Sequence, residues 1–283
     1  MSRRWSANVD PVPPRLPRTE SVSELEVDEP APGVRRLTIN RPGVRNAISL
    51  SVQRELDRAL TRIAADDAIR SVIIAGAGSV AFSAGYDITE LARWTPSEAA
   101  DAAAEREELV WRFWSFPKPV VAAVDGTAHG AGTILAVCAD IRVGDPRTRF
   151  AVTAARYGGA NLTWLLDSVV GAGHARDLLM TSRAVDGAEA YRIGLLSRFV
   201  EEGGVSSAAV DTAAGLAELP PEGIREIKSL LQHGPGLDLR TRYDREIAAA
   251  RTHSHPDQIA GLVAGLAGLA DRDARLRRTA AEQ

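Results

Sequence analysis

Cysteine is almost missing from this chain of 283 residues: Cys138 stands alone. One thiol excludes a disulfide framework and fits a reducing, cytoplasmic setting. No apolar run reaches about 18 residues, so no transmembrane helix and no membrane partner is expected. The first residues lack the apolar stretch of a signal peptide. Neither sign of charge dominates: the net charge of −3 gives no electrostatic case for nucleic acid. His253 and His255 are close in sequence, but two histidines without a third ligand do not make a metal site. No Gly-x-Gly-x-x-Gly turn follows the first strand, against a nucleotide-binding dehydrogenase. No Gly-x-Ser-x-Gly elbow is present, against a serine hydrolase of related architecture. No internal repeat is found.

What is present is ordinary globular material, 45% hydrophobic and 25% charged, long enough for a core that needs neither disulfide nor metal. Pro11, Pro13, Pro14 and Pro17 among charged residues mark 1–25 as a loosely attached arm. From 26 to 215 short apolar strands alternate with helices. Val34 to Asn40, Val72 to Ala75, Val120 to Val124, Asp140 to Val143 and Arg149 to Val152 read as strands. Ser49 caps a helix carrying Val52, Leu56, Leu60 and Ile63, and Thr95-Pro96-Ser97-Glu98 is a capping box. Helices are also expected from Gly132 to Cys138, Gly171 to Met180 and Asp186 to Tyr191. The pattern implies an α/β sheet with crossover connections. From 216 to 283 the chain is helical in pattern, with a break at Pro256 and a stripe of Ile259, Leu262, Leu266 and Leu269 suited to packing on the core or on another subunit.

Two small-residue turns carry the chemistry. Ala81 to Ile88 and Gly126 to Gly132 each follow an apolar strand and lead into a helix. Small residues let a ligand approach the main chain, and a helix start leaves its first N–H groups unpaired. Two such turns can grip one oxygen from two sides, the design of an oxyanion hole that stabilises a thioester enolate. Most neighbouring polar residues read as structural. Asp87 is placed to cap the next helix, and Glu90 to be solvated or to face the pocket. His129 is expected to pack, Asp167 to cap or lie on the surface, Cys138 to be a buried thiol. Trp111 and Trp114, three apart on one helix, are expected in core or subunit packing.

These residues resemble the crotonase superfamily, also called enoyl-CoA hydratase/isomerase. The marks are Asn40-Arg41-Pro42 with Arg45-Asn46-Ala47-Ile48, Phe82 to Ile88, Phe116-Pro117-Lys118-Pro119-Val120, Gly126 to Gly132 with Asp140-Ile141-Arg142, and Ala190 to Gly194. Five motifs in order over about 160 residues are far more specific than a lone glycine motif. The resemblance implies an α/β crotonase-type ββα spiral with a C-terminal helical region that builds a homotrimer or a dimer of trimers. It implies an acyl-CoA thioester, or the same thioester on a carrier's phosphopantetheine arm, and no other cofactor. The oxyanion donors map to the N–H groups of Tyr86 and Ala131. Arg45, Ala47, Ala84, Asp87, Ile88 and Thr89 map to the border of the CoA moiety, and Lys228 to a charge offered to its phosphates.

The resemblance also exposes departures. Hydratases of this family use two glutamates, and their positions fall here on Ile134 and at or near Ala154. Neither residue activates water or delivers a proton. The stretch from Gly158 to Trp164 is a few residues shorter than the hydratase pattern, which puts Arg156, Tyr157, Asn161 and Thr163 in line for the pocket, with Arg156 able to pair with a substrate carboxylate. An oxyanion hole without those acids suits loss of a leaving group that needs no base, so a lyase, in particular a decarboxylase, leads. A likeness to methylmalonyl-CoA decarboxylases in Phe82 to Leu91 and Phe150 to Thr153 gives Thr153 a hydroxyl role and puts Asn161 where those enzymes carry a tyrosine. Isomerase, thioester or C–C hydrolase, hydratase with relocated acids, and an inactive acyl-CoA-binding homologue stand as alternatives.

Overall fold

The computed structural model describes residues 23–252. It opens on a hairpin of β1 (Leu25–Ala31) and β2 (Val34–Ile39), followed by α1 (Leu50–Ala65), β3 (Ser71–Gly76), β4 (Ala81–Ser83), α2 (Ile88–Leu91) and α3 (Pro96–Trp114). Next come β5 (Val120–Val124), β6 (Thr127–His129), α4 (Ala131–Cys138), β7 (Ile141–Gly144), β8 (Arg149–Ala151) and α5 (Leu166–Thr181). The chain continues through β9 (Val185–Asp186), α6 (Gly187–Arg192), β10 (Arg198–Phe199), α7 (Val205–Ala217), α8 (Pro221–His233) and α9 (Leu239–Thr252).

Among the described residues the strands form two sheets, ordered β1-β2-β3-β5-β7-β10 and β4-β6-β8-β9. Successive pairs, β3 with β4, β5 with β6 and β7 with β8, send their first strand to the larger sheet and their second to the smaller. Helices follow each pair, so the chain winds as a spiral of ββα turns. The β2-β3-β5-β7 ladder is parallel, as crossover helices require. All five residues of β5 are buried. Each of its valines contributes about 1.5–3 kcal/mol by leaving water.

Two elements differ from the sequence reading at the edges of the core. Leu25, placed in the arm, is a buried residue of β1. Helix α7 is absent from that reading, yet Val205, Ala209 and Ala213 recur every fourth residue and cover Ile73, Val121 and Val143. Within both glycine turns the structure shows a short strand, β4 or β6, so each turn is a strand of the small sheet followed by a sharp bend. The helix expected from Gly171 starts earlier, at Leu166, and bends at Gly171, whose φ is +79°. Residues 1–22, the Pro256 break, the stripe from Ile259 to Leu269, His253 and His255 lie outside the described residues.

The polar residues of the sequence motifs hold the fold together. Lys118 is 4% exposed, and its Nζ donates to the carbonyls of Ile63 and Asp66, both at 2.6 Å. There its positive charge adds a second donor to carbonyls at the C-terminal end of α1, where the helix dipole favours a cation. The Asp140 carboxylate accepts the Val120 N–H at 2.7 Å. Arg142, 7% exposed, donates its Nε to the Leu195 carbonyl at 2.6 Å. Lys228 corrects an expectation: it is 7% exposed and donates to Asp140 at 2.7 Å and to the Lys118 carbonyl at 3.0 Å. It ties α8 to the core, and offers no charge to a ligand at the surface.

Candidate active site

The site begins with Asn46, 1% exposed at φ +54°. Its side-chain oxygen accepts the Arg41 N–H at 3.0 Å, and its amide donates to the carbonyls of Ala77 and Ala81 at 2.9 and 2.7 Å. One buried side chain thus fastens the turn after Pro42 to β4. Ser83 donates to the Asn46 carbonyl at 2.8 Å and accepts the Gly85 N–H at 3.2 Å. The Ala84 N–H reaches the Arg45 carbonyl at 2.9 Å.

Ile48 and Tyr86 then pair as an isolated parallel bridge. Its bonds run from Ile48 N–H to the Gly85 carbonyl at 2.7 Å and from Asp87 N–H to the Ile48 carbonyl at 3.1 Å. A parallel bridge of this kind skips the N–H of its central residue. The Tyr86 N–H therefore stays unpaired among the described residues.

The second turn is held as firmly. Thr133, 2% exposed, donates to the carbonyls of Ala128 and Ala151 at 2.6 and 3.0 Å, and the Gly130 N–H reaches Ala151 at 2.9 Å. Gly130 is the N-cap of α4, so Ala131 opens the helix and its N–H belongs to the unpaired first turn. The helix dipole favours negative charge there.

The two turns touch through Gly85. Its φ is +97°, and a Cβ on it would lie 2.9 Å from the His129 carbonyl oxygen and 3.2 Å from the Ala131 nitrogen. Only glycine gives both that backbone conformation and that approach.

A cavity of about 410 Å³ opens beside them. Tyr86 lines it, as does Ile134, one helical turn after Ala131. Further lining comes from Arg106, Glu107 and Trp111 of α3 and from Asn161 and Trp164 of the segment between β8 and α5. Trp111, Trp114 and Trp164 form an aromatic cluster with ring centroids 4.9–6.2 Å apart.

Tyr86, Ile134 and Asn161 are thus brought together, as the sequence reading expected. Ala131, 5% exposed, is not among the residues lining the cavity. Thr153 and Ala154 are not among the residues lining the cavity, nor are Arg156, Tyr157 and Thr163. Arg156 donates to the Ser182 carbonyl at 3.0 Å, and Tyr157 is 86% exposed. The loop turns at Gly158, with φ +74°, before it reaches the cavity wall.

Arg45, Ala47, Ala84, Asp87, Ile88 and Thr89 gather where the two braced segments meet. Ala47 is buried and its carbonyl accepts Arg41 at 2.7 Å, while Ile88 is 77% exposed. Asp87 caps α2 by accepting the N–H groups of Thr89 and Glu90 and pairs with Arg41 at 2.9 Å. Burial by itself raises the Asp87 carboxyl, but Arg41 and the two N–H groups outweigh it and hold it below the usual range. Glu90 accepts the Leu50 N–H at 2.8 Å, which settles its role as a helix-start acceptor.

Burial pushes the Tyr86 phenol up, so it stays protonated and makes a poor base. Burial, and then the Arg45 charge, push His129 down. Burial pushes the Cys138 thiol up to about 12, which makes it inert as a nucleophile.

A family model for enoyl-CoA hydratase/isomerase matches residues 29–267. The chain belongs to the enoyl-CoA hydratase/isomerase family. Within it, the chain is 31% identical over 208 residues to the short-chain-enoyl-CoA hydratase of Clostridium acetobutylicum, covering 72% of this chain and 80% of that one. It is 30% identical over 271 residues to the mitochondrial methylglutaconyl-CoA hydratase of Mus musculus, covering 92% and 86%. The crystal structure of an enoyl-CoA hydratase from Bacillus anthracis superposes with a TM-score of 0.82 at 29% identity, covering 87% of this chain and 96% of that one. The family's enzymes act on acyl-CoA, and the spiral core is the crotonase fold.

Sequence reasoning missed the α3 wall. The signal was present: Ala102, Leu109 and Phe113 are the buried stripe of α3, and Arg106 falls on the same helical spacing. An arginine on an inward stripe has something to hold.

Proposed function

We propose that this enzyme binds an acyl-CoA or carrier-bound thioester and stabilises its enolate through the N–H groups of Tyr86 and Ala131. The contact between the two braced turns at Gly85 carries the reading, since it sets the Ala131 nitrogen against the turn whose next residue, Tyr86, lines the cavity. Preorganised donors of this kind cost no rearrangement as charge develops on the oxygen.

The reaction favoured is loss of a leaving group, decarboxylation first. Ile134 supplies an apolar wall where a hydratase of the family would carry a glutamate, and the Tyr86 phenol stays protonated. In a malonyl-type thioester the C–C bond to the carboxylate breaks, its electron pair passes into the enolate held by the two N–H groups, and carbon dioxide leaves. The enolate carbon then takes a proton from water. No group on the enzyme has to remove a proton first.

A hydratase or isomerase with relocated acids is the second reading, because Glu107 lines the same cavity. Incubation with malonyl- and methylmalonyl-CoA, followed by mass spectrometry, separates the two. Acetyl- or propionyl-CoA as product supports decarboxylation. Turnover of enoyl-CoA alone supports the second reading, and tight binding without turnover of any ester indicates an inactive acyl-CoA-binding homologue. The assembly proposed is a homotrimer or a dimer of trimers, which light scattering on the eluted protein tests.

A further inference from the structure

Arg106 is the charged residue of the cavity wall that has solvent-shielded polar atoms without a hydrogen-bond partner among the described residues. Its Nε and Nη2 are both shielded from solvent and have no hydrogen-bond partner. Those two nitrogens form the side-on edge of the guanidinium, the edge that matches both oxygens of a carboxylate. The ring of Tyr86 lies 4.1 Å from the guanidinium carbon and that of Trp94 lies 4.8 Å from it. Aromatic faces offset part of the cost of the burial but satisfy no N–H directed in the guanidinium plane. Shielded guanidinium N–H groups without an acceptor are costly and call for a partner.

No nearby acid forms an ion pair or hydrogen bond with Arg106 among the described residues. Glu90 accepts the Leu50 N–H, and Glu107, the adjacent residue, is exposed and forms no ion pair with Arg106 among the described residues.

From this geometry we infer that the Arg106 side chain, one of those lining the cavity, turns this shielded edge to a second carboxylate of the substrate and holds it, so that the enzyme takes thioesters whose acyl chain ends in an acid. The inference rests on the thioester reading above. Arg106 stacks on the side chain of Tyr86, whose own N–H is the donor proposed for the thioester oxygen. The carboxylate it anchors is therefore on the far part of the acyl chain. It is also one that stays: an ion pair lowers the energy of a carboxylate and opposes its departure. A carboxylate lost in the reaction is a different group, beside the thioester.

Calorimetric titration of the full-length protein tests this with glutaryl-CoA, its methyl ester and butyryl-CoA. The expected result is binding of all three, with glutaryl-CoA tighter by about ten-fold or more, as a charge-assisted bidentate pair implies. In Arg106→Gln the preference for glutaryl-CoA over its methyl ester and butyryl-CoA disappears. The methyl ester keeps the length and removes the charge, so the wild-type comparison stands even if the variant does not fold. Equal affinity for the three ligands, or a preference that survives in Arg106→Gln, overturns the inference and leaves the thioester reading standing. Failure of butyryl-CoA and both other esters to bind overturns both.

Discussion

The two walls of the cavity are built differently. On one side, Asn46, Ser83 and Thr133 are buried, and each makes at least two hydrogen bonds to main chain. Their task is to hold two strips of backbone. On the other side, the side chains of Arg106 and Asn161 make no hydrogen bond among the described residues, and Trp111 and Trp164 are 53% and 46% exposed. The first wall is fixed by the fold and offers donors that do not depend on side-chain identity. The second offers side chains, and side chains set which acyl group fits. Chemistry on the rigid wall and selectivity on the open one is the lesson of the contrast.

The largest expected effect comes from breaking the rigid wall at its point of contact. Gly85→Ala places a methyl against the His129 carbonyl and the Ala131 nitrogen at φ +97°. Turnover of any accepted thioester should fall about 100-fold or more, as loss of one oxyanion donor does elsewhere. Steady-state kinetics with a parallel melting curve separates this from unfolding.

Asn46→Leu comes next. It removes three hydrogen bonds, one buried and two partly buried, from the Arg41 N–H and the carbonyls of Ala77 and Ala81. Stability should drop by about 2–4 kcal/mol in urea titration. Asn161→Ala on the open wall should do the reverse: stability within about 0.5 kcal/mol of the parent, with a changed order of preference among acyl chains in a competition assay.

The smallest effect concerns acid. Asp87 titrates below its ordinary value in the folded protein, so its tie to Arg41 is at full strength above the unfolded value of about 3.9. That contribution is lost as pH falls through the lower folded value. The difference in melting temperature between the parent and Asp87→Asn should be constant above about pH 5 and shrink below about pH 4.

The same contrast explains what was legible in the sequence. The rigid wall depends on positions where only certain residues work: glycine at 85, a small residue at 131, a capping acid at 87. Such constraints leave marks that can be read from composition and order alone. Strands β4 and β6, three residues each, were hidden inside the glycine turns because so short a run shows no periodicity. On the open wall the sequence could not tell that Asn161 lines the cavity while Thr153 and Arg156 do not, since no periodicity governs which residues of an irregular loop reach a cavity. Arg106 was readable only as an exception, a charge on the apolar stripe of α3 amid Glu105, Glu107 and Glu108 that look like a solvated face. Lys228 was misassigned because its partner, Asp140, is 88 residues away in sequence.

Infrared difference spectroscopy of a bound acyl-CoA carrying a carbon-13 label at the thioester carbonyl bears most directly on the role given to Tyr86 and Ala131. Two backbone donors on that oxygen polarise the bond, so its stretching band should move to lower frequency on binding to the parent and return toward the free value in Gly85→Ala. A bound thioester whose carbonyl band stays at the free frequency in the parent contradicts the assignment.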